Sequence, residues 1–122
     1  VGRLYIDLPS RSPKVVINKQ KNSVAPNIIH SFDASHMMMV VLEMPEGTSF
    51  AMVHDSYGCH ACDVDELLRV TKETFVDIYR HSWFEILRTD FMFYSSGCQL
   101  PEPPQRGDLD IDKVLESDYF FA

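Results

Sequence analysis

The sequence predicts an α+β fold in which a small antiparallel hairpin packs against helices and an extended C-terminal tail follows. An apolar run of β-formers, Phe50 to Val53, ends on the triplet His54-Asp55-Ser56, and the chain restarts after Gly58. This pattern indicates two strands joined by a tight polar turn. Farther along, apolar residues recur at helical spacing from Leu67 to Ile78. Three prolines between positions 101 and 104 indicate a stiff linker before the tail.

Residues 1–22 are predicted to form a strand ribbon and a polar loop. Gly2 to Leu8 alternates loosely, as a strand does, and Val15 to Ile17 is a second short strand after a proline-bracketed turn. Residues 18–23 are polar and locally basic. We interpret them as a solvated loop rather than a phosphate site, because spacing alone does not define a binding surface.

Residues 23–100 are predicted to hold the hairpin and most of the helices. Pro26 fits the first turn of a short helix ending near His30, and Ser31 or Asp33 fits the cap of a second helix over residues 34–42. The last half of that second helix is apolar almost all round, which is typical of a buried helix, and Pro45 with Gly47 ends it.

Two further helices are predicted after the hairpin. Asp63 and Glu66 have the spacing of a capping box at the start of the first, whose charged face we expect to be solvated. The second covers the aromatic-rich stretch from Trp83 to Tyr94. In the last block, residues 101–122, the linker precedes one short helix between Leu109 and Leu115. The aromatic ending is then expected to pack against another part of the protein.

Composition restricts the class of protein. A chain of 122 residues is one domain or part of one, and a formal net charge of -7 argues against an autonomous nucleic-acid binder but not against an acidic, metal-binding piece of a nucleic-acid enzyme. No stretch is long enough to span a membrane. Three cysteines favour a reducing compartment. A first residue of Val1 rather than Met is expected of a processed chain, a fragment or a trimmed segment.

Asp55 is the first candidate for chemistry. A carboxylate at a hairpin tip suits Mg²⁺, which prefers oxygen ligands and takes one or two carboxylates together with substrate phosphates. The pattern alone leaves open whether Asp55 binds metal or only forms the turn. His54 is expected to orient the turn, and the small Ser56 to let a chain end approach. Neighbouring residues of this kind do not make a hydrolytic triad, whose members are assembled in space.

Two other groups of residues have competing interpretations. The run from Cys59 to Cys62 resembles half of a zinc site, but no second paired spacing exists, which favours two partly buried free thiols. Capping does not account for His30 and His36, so one of them is expected to face a ligand.

Three blocks of the sequence resemble one known family. Residues 25–36 (Ala-Pro-Asn-Ile-Ile-His-Ser-Phe-Asp-Ala-Ser-His), residues 50–58 around the His-Asp-Ser triplet, and the ending Leu-Glu-Ser-Asp-Tyr-Phe-Phe-Ala are similar, in order and spacing, to the C-terminal part of the single-subunit RNA polymerases. This family contains the T7-like phage enzymes and the mitochondrial RNA polymerases. The resemblance covers roughly residues 23–122 and is weakest between Trp83 and Pro101.

The resemblance implies a role for each matching residue. It makes the hairpin the metal-binding motif of a polymerase palm within a right-hand fold, and it makes Asp55 a catalytic ligand of Mg²⁺ in a two-metal site. It puts His30, His54 and Ser56 next to nucleic acid, and the tail residues Phe120, Phe121 and Ala122 near the active site. Ser56, where related DNA polymerases usually carry Glu, favours RNA synthesis.

The family's other catalytic aspartate, in motif A, and its nucleotide-selecting fingers helix have no counterpart in this chain. The expected partners are therefore a remaining polymerase polypeptide that carries them, template DNA, nascent RNA and nucleoside triphosphates, with no membrane. The expected location is the cytoplasm of a phage-infected bacterium, with the mitochondrial matrix second. A separate subunit and a fragment of a longer polypeptide both fit, and a non-catalytic protein-interaction module associated with a polymerase is the alternative function.

Overall fold

The computed structural model describes residues 15–53, 55–95 and 98–120, and in these ranges the chain is α+β as predicted. Helix α1 covers Ile17–Glu43, strands β1 and β2 cover Ala51–Val53 and Ser56–Gly58, and helix α2 covers Val64–Arg80. Helix α3 covers Trp83–Tyr94. Two 3₁₀ turns, Ala61–Asp63 and Ile111–Val114, complete the described elements. None of the described helices combines the length and the apolar character needed to cross a bilayer.

Helix α1 differs most from the sequence prediction. One helix replaces the polar loop at 18–23 and the two short helices, and Pro26 lies inside it. The predicted strand at residues 15–17 is not formed: residues 15 and 16 precede the helix, and Ile17 is its first residue. Lysine and glutamine are good helix formers, so residues 18–22 can extend a helix. A proline removes one backbone hydrogen bond, which raises the cost of a helix without always ending it. The predicted strand at Gly2 to Leu8 lies outside the described residues.

The chain divides into two compact units, Val1–Phe32 and Asp33–Ala122. The core of the second unit is small: Val40 of α1 and Met44, the residue that follows this helix, pack with Leu67 and Val70 of α2. The hairpin contacts this cluster through Tyr57, and the flanking residues Phe50 and Cys59 also pack against it. Because two helices and a hairpin share one cluster, the position of the hairpin depends on how the helices meet.

The end of α1 is only half buried, in contrast to the prediction of a buried helix. Val40 is fully buried, but Met38 and Leu42 are 56% and 81% exposed. The helix ends at Glu43, as the proline and glycine predicted. The backbone amide and hydroxyl of Thr48 both donate to the carbonyl of Pro45, at 3.2 and 2.8 Å. Gly47, with φ of 91°, supplies the left-handed residue that this turn requires.

Helix α2 has the predicted buried stripe. Thr71, Thr74, Val76 and Ile78 are buried together with the core residues. Asp63 is the N-cap residue, but its side chain makes no capping hydrogen bond, so the capping box is wrong. Glu66 instead accepts two hydrogen bonds from Arg69, which also bonds Glu73. The charged face of α2, which we expected to be only solvated, therefore carries ion pairs.

Helix α3 covers Trp83–Tyr94, as predicted.

The C-terminal segment is attached along α2. Arg106 donates to the carbonyls of Tyr79 and Arg80, which lie at the end of α2 where helix carbonyls lack intrahelical partners. Arg80 also forms an ion pair with Asp112 at 2.6 Å, and Lys72 donates to the carbonyl of Ser117. Beyond these bonds the ring of Phe120 packs edge-to-face on Phe75, with centroids 4.7 Å apart. The expected packing of the aromatic ending is thus observed for Phe120.

Replacing Gly58 should destabilise the hairpin. A Cβ atom at this position would lie 2.8 Å from the carbonyl oxygen of Ala51 on the paired strand. We expect Gly58→Ala to lower the free energy of unfolding by about 1–3 kcal/mol, measured by urea denaturation. Gly107→Ala is the matched control, because a Cβ there meets nothing within 4 Å. Equal stability of the two variants would contradict this account.

Truncating Phe120 should loosen the C-terminal segment. The edge-to-face pair with Phe75 and the lost apolar area together predict that Phe120→Ala costs about 1–3 kcal/mol of stability. Tyr119→Ala serves as the neighbouring control, because Tyr119 is 89% exposed and its truncation is expected to cost within about 0.5 kcal/mol. Stability is measured from the unfolding midpoint of each variant. If Tyr119→Ala lost as much stability as Phe120→Ala, the contact between Phe120 and Phe75 would not account for the effect.

Candidate metal-binding site

The site is built on a hairpin with a two-residue turn. Val53 pairs with Ser56 across antiparallel strands, so only positions 54 and 55 connect them. A two-residue connection is the commonest hairpin type and restricts the turn to a few conformations. The second strand thus begins at Ser56, earlier than the predicted restart after Gly58. His54 lies outside the described residues, whereas Asp55 is in the turn and exposed.

The hairpin has one inner and one outer face. Met52 and Tyr57 form a cross-strand pair and are partly buried. Val53, which is 67% exposed, and Ser56 lie on the other face. The apolar strand leading to Asp55 is therefore only half buried. The carboxylate of Asp55 is accessible to solutes, while Tyr57 packs the hairpin against the core.

Tyr57 lies in the combined field of two carboxylates. Burial raises the pKa of its phenol, and the negative charges of Asp33 and Asp55 raise this pKa further. The phenol therefore keeps its proton at neutral pH. Both carboxylates thus lie close enough to Tyr57 for their charges to disfavour its phenolate form.

His36 fixes the hairpin and both helices in one place. It is 5% exposed, and its Nε2 lies 3.0 Å from the carbonyl oxygen of Thr71 on α2. A carbonyl only accepts hydrogen bonds, so Nε2 carries the proton and donates it. The ring contacts Tyr57 of the hairpin and Phe75 of α2 at centroid distances of 6.3 and 5.6 Å.

The interior environment keeps this imidazole neutral. Burial lowers the pKa of His36 below its ordinary value of 6.5, although the Thr71 carbonyl and the charge of Asp33 act in the opposite direction. His36 is therefore a core residue, and the expectation of a histidine facing a ligand does not apply to it. Because Phe75 contacts both His36 and Phe120, one continuous set of ring contacts joins hairpin, helices and C-terminal segment.

The remaining site candidates are distributed differently. His30 is exposed on α1, in the first of the two units. Phe121 and Ala122 lie outside the described residues, so their predicted place near the active site stays a prediction. In the described ranges no group of three or more His, Cys, Asp or Glu side chains is arranged to hold a metal ion. The part of the site that the structure describes is thus a single carboxylate, that of Asp55.

The cysteines are free thiols. Cys59 is half-buried, whereas Cys62 and Cys98 are exposed, so the expectation of partial burial holds only for Cys59. Its pKa is raised by loss of solvent and by the negative charge of Asp63. In the described part of the chain, neither Cys59 nor Cys62 belongs to a group of three or more side chains that could hold a metal ion. The zinc interpretation therefore gains nothing from the described residues.

Sequence reasoning overlooked the residues that position the site. Tyr57 and Thr71 were recognised only as parts of the hairpin and the helix, and His36 only as a candidate ligand. One signal was available: Thr71 and Phe75 are four residues apart and hence on the same face of α2. The partner of that face, however, comes from a distant part of the chain.

Comparisons with known proteins supply the family context. Residues 1–98 match the family model described as DNA-dependent RNA polymerase. The chain is 44% identical over 117 residues to DNA-directed RNA polymerase 1B, mitochondrial, of Nicotiana tabacum, which covers 95% of this chain and 12% of that protein. It is 43% identical to DNA-directed RNA polymerase 1A of the same species, over 95% of this chain and 76% of that protein. It is also 44% identical to DNA-directed RNA polymerase 1, mitochondrial, of Arabidopsis thaliana, again spanning 12% of the relative.

The neutrality of His36 predicts a stability that depends on pH. Since folding lowers its pKa, the unfolded chain binds a proton more readily, and stability falls as the pH drops from about 6.5 toward the lower pKa of the folded state. His36→Gln keeps an N–H donor for Thr71 but does not titrate. We expect its melting temperature to change less between pH 7.5 and 5.5 than that of the native chain.

His60→Gln is the control for this experiment, because it makes the same chemical change at an exposed position. It should retain the pH dependence of the native chain. If the melting temperatures of the native chain and of His36→Gln changed by the same amount over this pH range, His36 would not be the titrating group.

Proposed function

Because this chain belongs to the single-subunit, T7-like family of DNA-dependent RNA polymerases, we propose that it is the C-terminal palm segment of a DNA-directed RNA polymerase, with Asp55 as a catalytic metal ligand. The observation that carries the proposal is the exposed carboxylate of Asp55 in a two-residue turn, on a hairpin whose inner face is anchored in the core. The match to the family model includes this hairpin.

Asp55 in the turn is suited to provide one ligand to Mg²⁺. The carboxylate of Asp55 is a hard oxygen donor, and its exposure leaves room for the waters and phosphates that complete the coordination of this ion. Held by Asp55 and by ligands outside these residues, two such ions would supply Lewis-acid stabilisation for attack of the RNA 3′-hydroxyl on the α-phosphate of a nucleoside triphosphate and for the pyrophosphate leaving group. Ser56 adds little bulk beside the carboxylate, which lets a chain end approach.

The second half of the site has to come from outside these residues. Two-metal catalysis needs carboxylates that hold two ions about 3.5–4 Å apart, and the described residues contain no group of three or more His, Cys, Asp or Glu side chains arranged to hold a metal ion. The chain spans 12% of the longer relatives, which leaves ample sequence for a motif A aspartate and a fingers helix. Helix α3 supports an extended contact with such a polypeptide: none of its residues is buried, and Phe93 and Tyr94 are each 80% exposed.

The assembled enzyme would bind template DNA, nascent RNA and nucleoside triphosphates. The names of several relatives contain the words mitochondrial or chloroplastic, so we propose an organellar location. The expectation of a phage-infected bacterium has no support among these relatives. The right-hand arrangement of the whole enzyme and the division into separate subunits remain parts of the proposal. The alternative of a non-catalytic interaction module is not favoured, because the relatives are named as polymerases.

Neutralising Asp55 tests the proposal directly. In the complete polymerase, Asp55→Asn should reduce primed RNA synthesis at least about 1,000-fold, because losing a metal ligand removes several kcal/mol of transition-state stabilisation. Asp108→Asn makes the same charge change at an exposed position of the C-terminal segment and should leave synthesis near the native rate. Copurification of the variant with the remaining polypeptide shows whether assembly is intact. Near-native synthesis by the assembled Asp55→Asn enzyme would overturn the assignment.

A further inference from the structure

Two of the three cysteines lie close together in the connection between the hairpin and α2. Cys59 directly follows β2, and Cys62 belongs to the 3₁₀ turn Ala61–Asp63 that leads into this helix. The two cysteines are three positions apart in the sequence. Cys62 is close enough to Cys59 for a negative charge on its sulfur to disfavour ionisation of Cys59. Both are free thiols in this structure.

The two thiols differ in their access to solvent. Cys59 is half-buried and packs against the core cluster that contains Val40 and Val70, whereas Cys62 is exposed. Burial raises the pKa of the Cys59 thiol, and the negative charge of Asp63 acts in the same direction. Cys62 is therefore the sulfur that a reagent in solution reaches first, and Cys59 is the protonated thiol beside it.

The surroundings of this pair suit a bond between the two sulfurs better than a bound metal. A structural zinc ion takes four ligands, and within the described ranges no third His, Cys, Asp or Glu completes a metal-holding group with Cys59 and Cys62. A disulfide needs only two thiols at a suitable separation. The third cysteine, Cys98, lies beyond α3 and is exposed, so it provides an internal comparison for the pair.

We propose that Cys59 and Cys62 are a site of reversible oxidation, at which exchange with a low-molecular-weight disulfide of the glutathione type forms an intramolecular disulfide. In a reducing compartment a disulfide of this kind is usually transient and sensitive to the redox state. The bond joins the end of β2 to the turn that precedes α2, and so links the hairpin covalently to the start of the helix on which it packs.

His60 sets the separation of the two cysteines. A disulfide requires their Cα atoms to lie within about 7 Å of each other. The hairpin holds the chain on one side and the 3₁₀ turn on the other, where the amide of Asp63 donates to the carbonyl of His60 at 2.9 Å. Between them His60 is extended, with φ of −65° and ψ of 149°. Because His60 is exposed, core packing does not prevent these angles from adjusting when the bond closes.

The bond forms in two exchange steps. The thiolate of Cys62 attacks one sulfur of the glutathione disulfide, whose S–S bond breaks, and one glutathione thiolate leaves and takes up a proton. Cys59 then releases its proton to solvent and attacks the Cys62 sulfur of the mixed disulfide, which displaces the second glutathione. The two cysteines lose two electrons and two protons, and the glutathione disulfide is reduced to two glutathione thiols. Excess reduced glutathione drives both steps backwards.

Peptide mapping by mass spectrometry tests this site. The full chain is equilibrated in buffers of reduced and oxidised glutathione, free thiols are blocked with N-ethylmaleimide, and the digest is analysed. We expect a bond between Cys59 and Cys62, recorded as the loss of two hydrogen atoms from the peptide that contains both, and its reversal by excess reduced glutathione. Cys98 has no second thiol beside it in the sequence, so it should form at most a mixed disulfide with glutathione.

Single substitutions separate the roles of the two sulfurs. Cys59→Ser should stop at a mixed disulfide on Cys62, because no second thiol displaces the glutathione. Cys62→Ser should acquire glutathione on Cys59 at least about 10-fold more slowly, because a half-buried thiol with a raised pKa attacks slowly. Cys98→Ser is the matched control, since it removes a thiol outside the pair and should form the internal bond as the native chain does. Circular dichroism establishes that the helices persist in each variant.

Two results would overturn the proposal. One is the absence of a bond between Cys59 and Cys62 under conditions in which Cys98 already carries glutathione. The other is protection of both thiols from oxidation by equimolar Zn²⁺, which would assign the pair to a metal. The bond is read by mass and without RNA synthesis, and Asp55→Asn should form it to the same extent as the native chain. The outcome is therefore independent of the proposed catalytic role of Asp55.

Discussion

The packing of the second unit depends on one buried hydrogen bond, from His36 Nε2 to the carbonyl oxygen of Thr71. A buried donor without a partner costs roughly 1–3 kcal/mol, so the imidazole is confined to positions of α1 and α2 that keep this bond. The apolar core around it is small: among the described residues, the largest fully buried side chains are those of Val40 and Val70. In so small a core, a directional bond defines the arrangement of the helices more closely than apolar contact alone can.

The C-terminal segment extends this arrangement along the surface. The bonds of Arg106, Asp112 and Ser117 to α2 are exposed or half-buried, and exposed ion pairs each contribute little. Together, however, these contacts hold successive parts of the segment against α2. They are followed by Phe120, whose ring packs on Phe75. The weak polar contacts position the segment along α2, and the ring contact with Phe75 positions Phe120.

The sequence predicted elements whose information is local, and failed where the deciding contact is distant. The hairpin, α3 and the end of α1 each depend on residues within a few positions, such as the short turn or the proline and glycine after Glu43. The prediction divided helix α1 in two because Pro26 resembles a helix start, whereas in the structure the helix continues through this proline. The role of His36 depends on a carbonyl 35 residues away, and no local pattern contains that information.

The candidate site was predictable to a similar extent. A strand–turn–strand pattern sufficed to place Asp55 at a hairpin tip, and the family resemblance suggested its chemistry. What the pattern omitted is how that tip is held. The turn is short, and its inner-face neighbour Tyr57 contacts His36, so the position of the carboxylate follows from the contact between α1 and α2. Since a displacement of about 1 Å can cost about 100-fold in rate, residues that never touch a substrate can limit such a site. A hairpin whose inner face is held against the core, and whose turn leaves the carboxylate exposed, is suited to the proposed site, in which the other ligands would come from outside these residues.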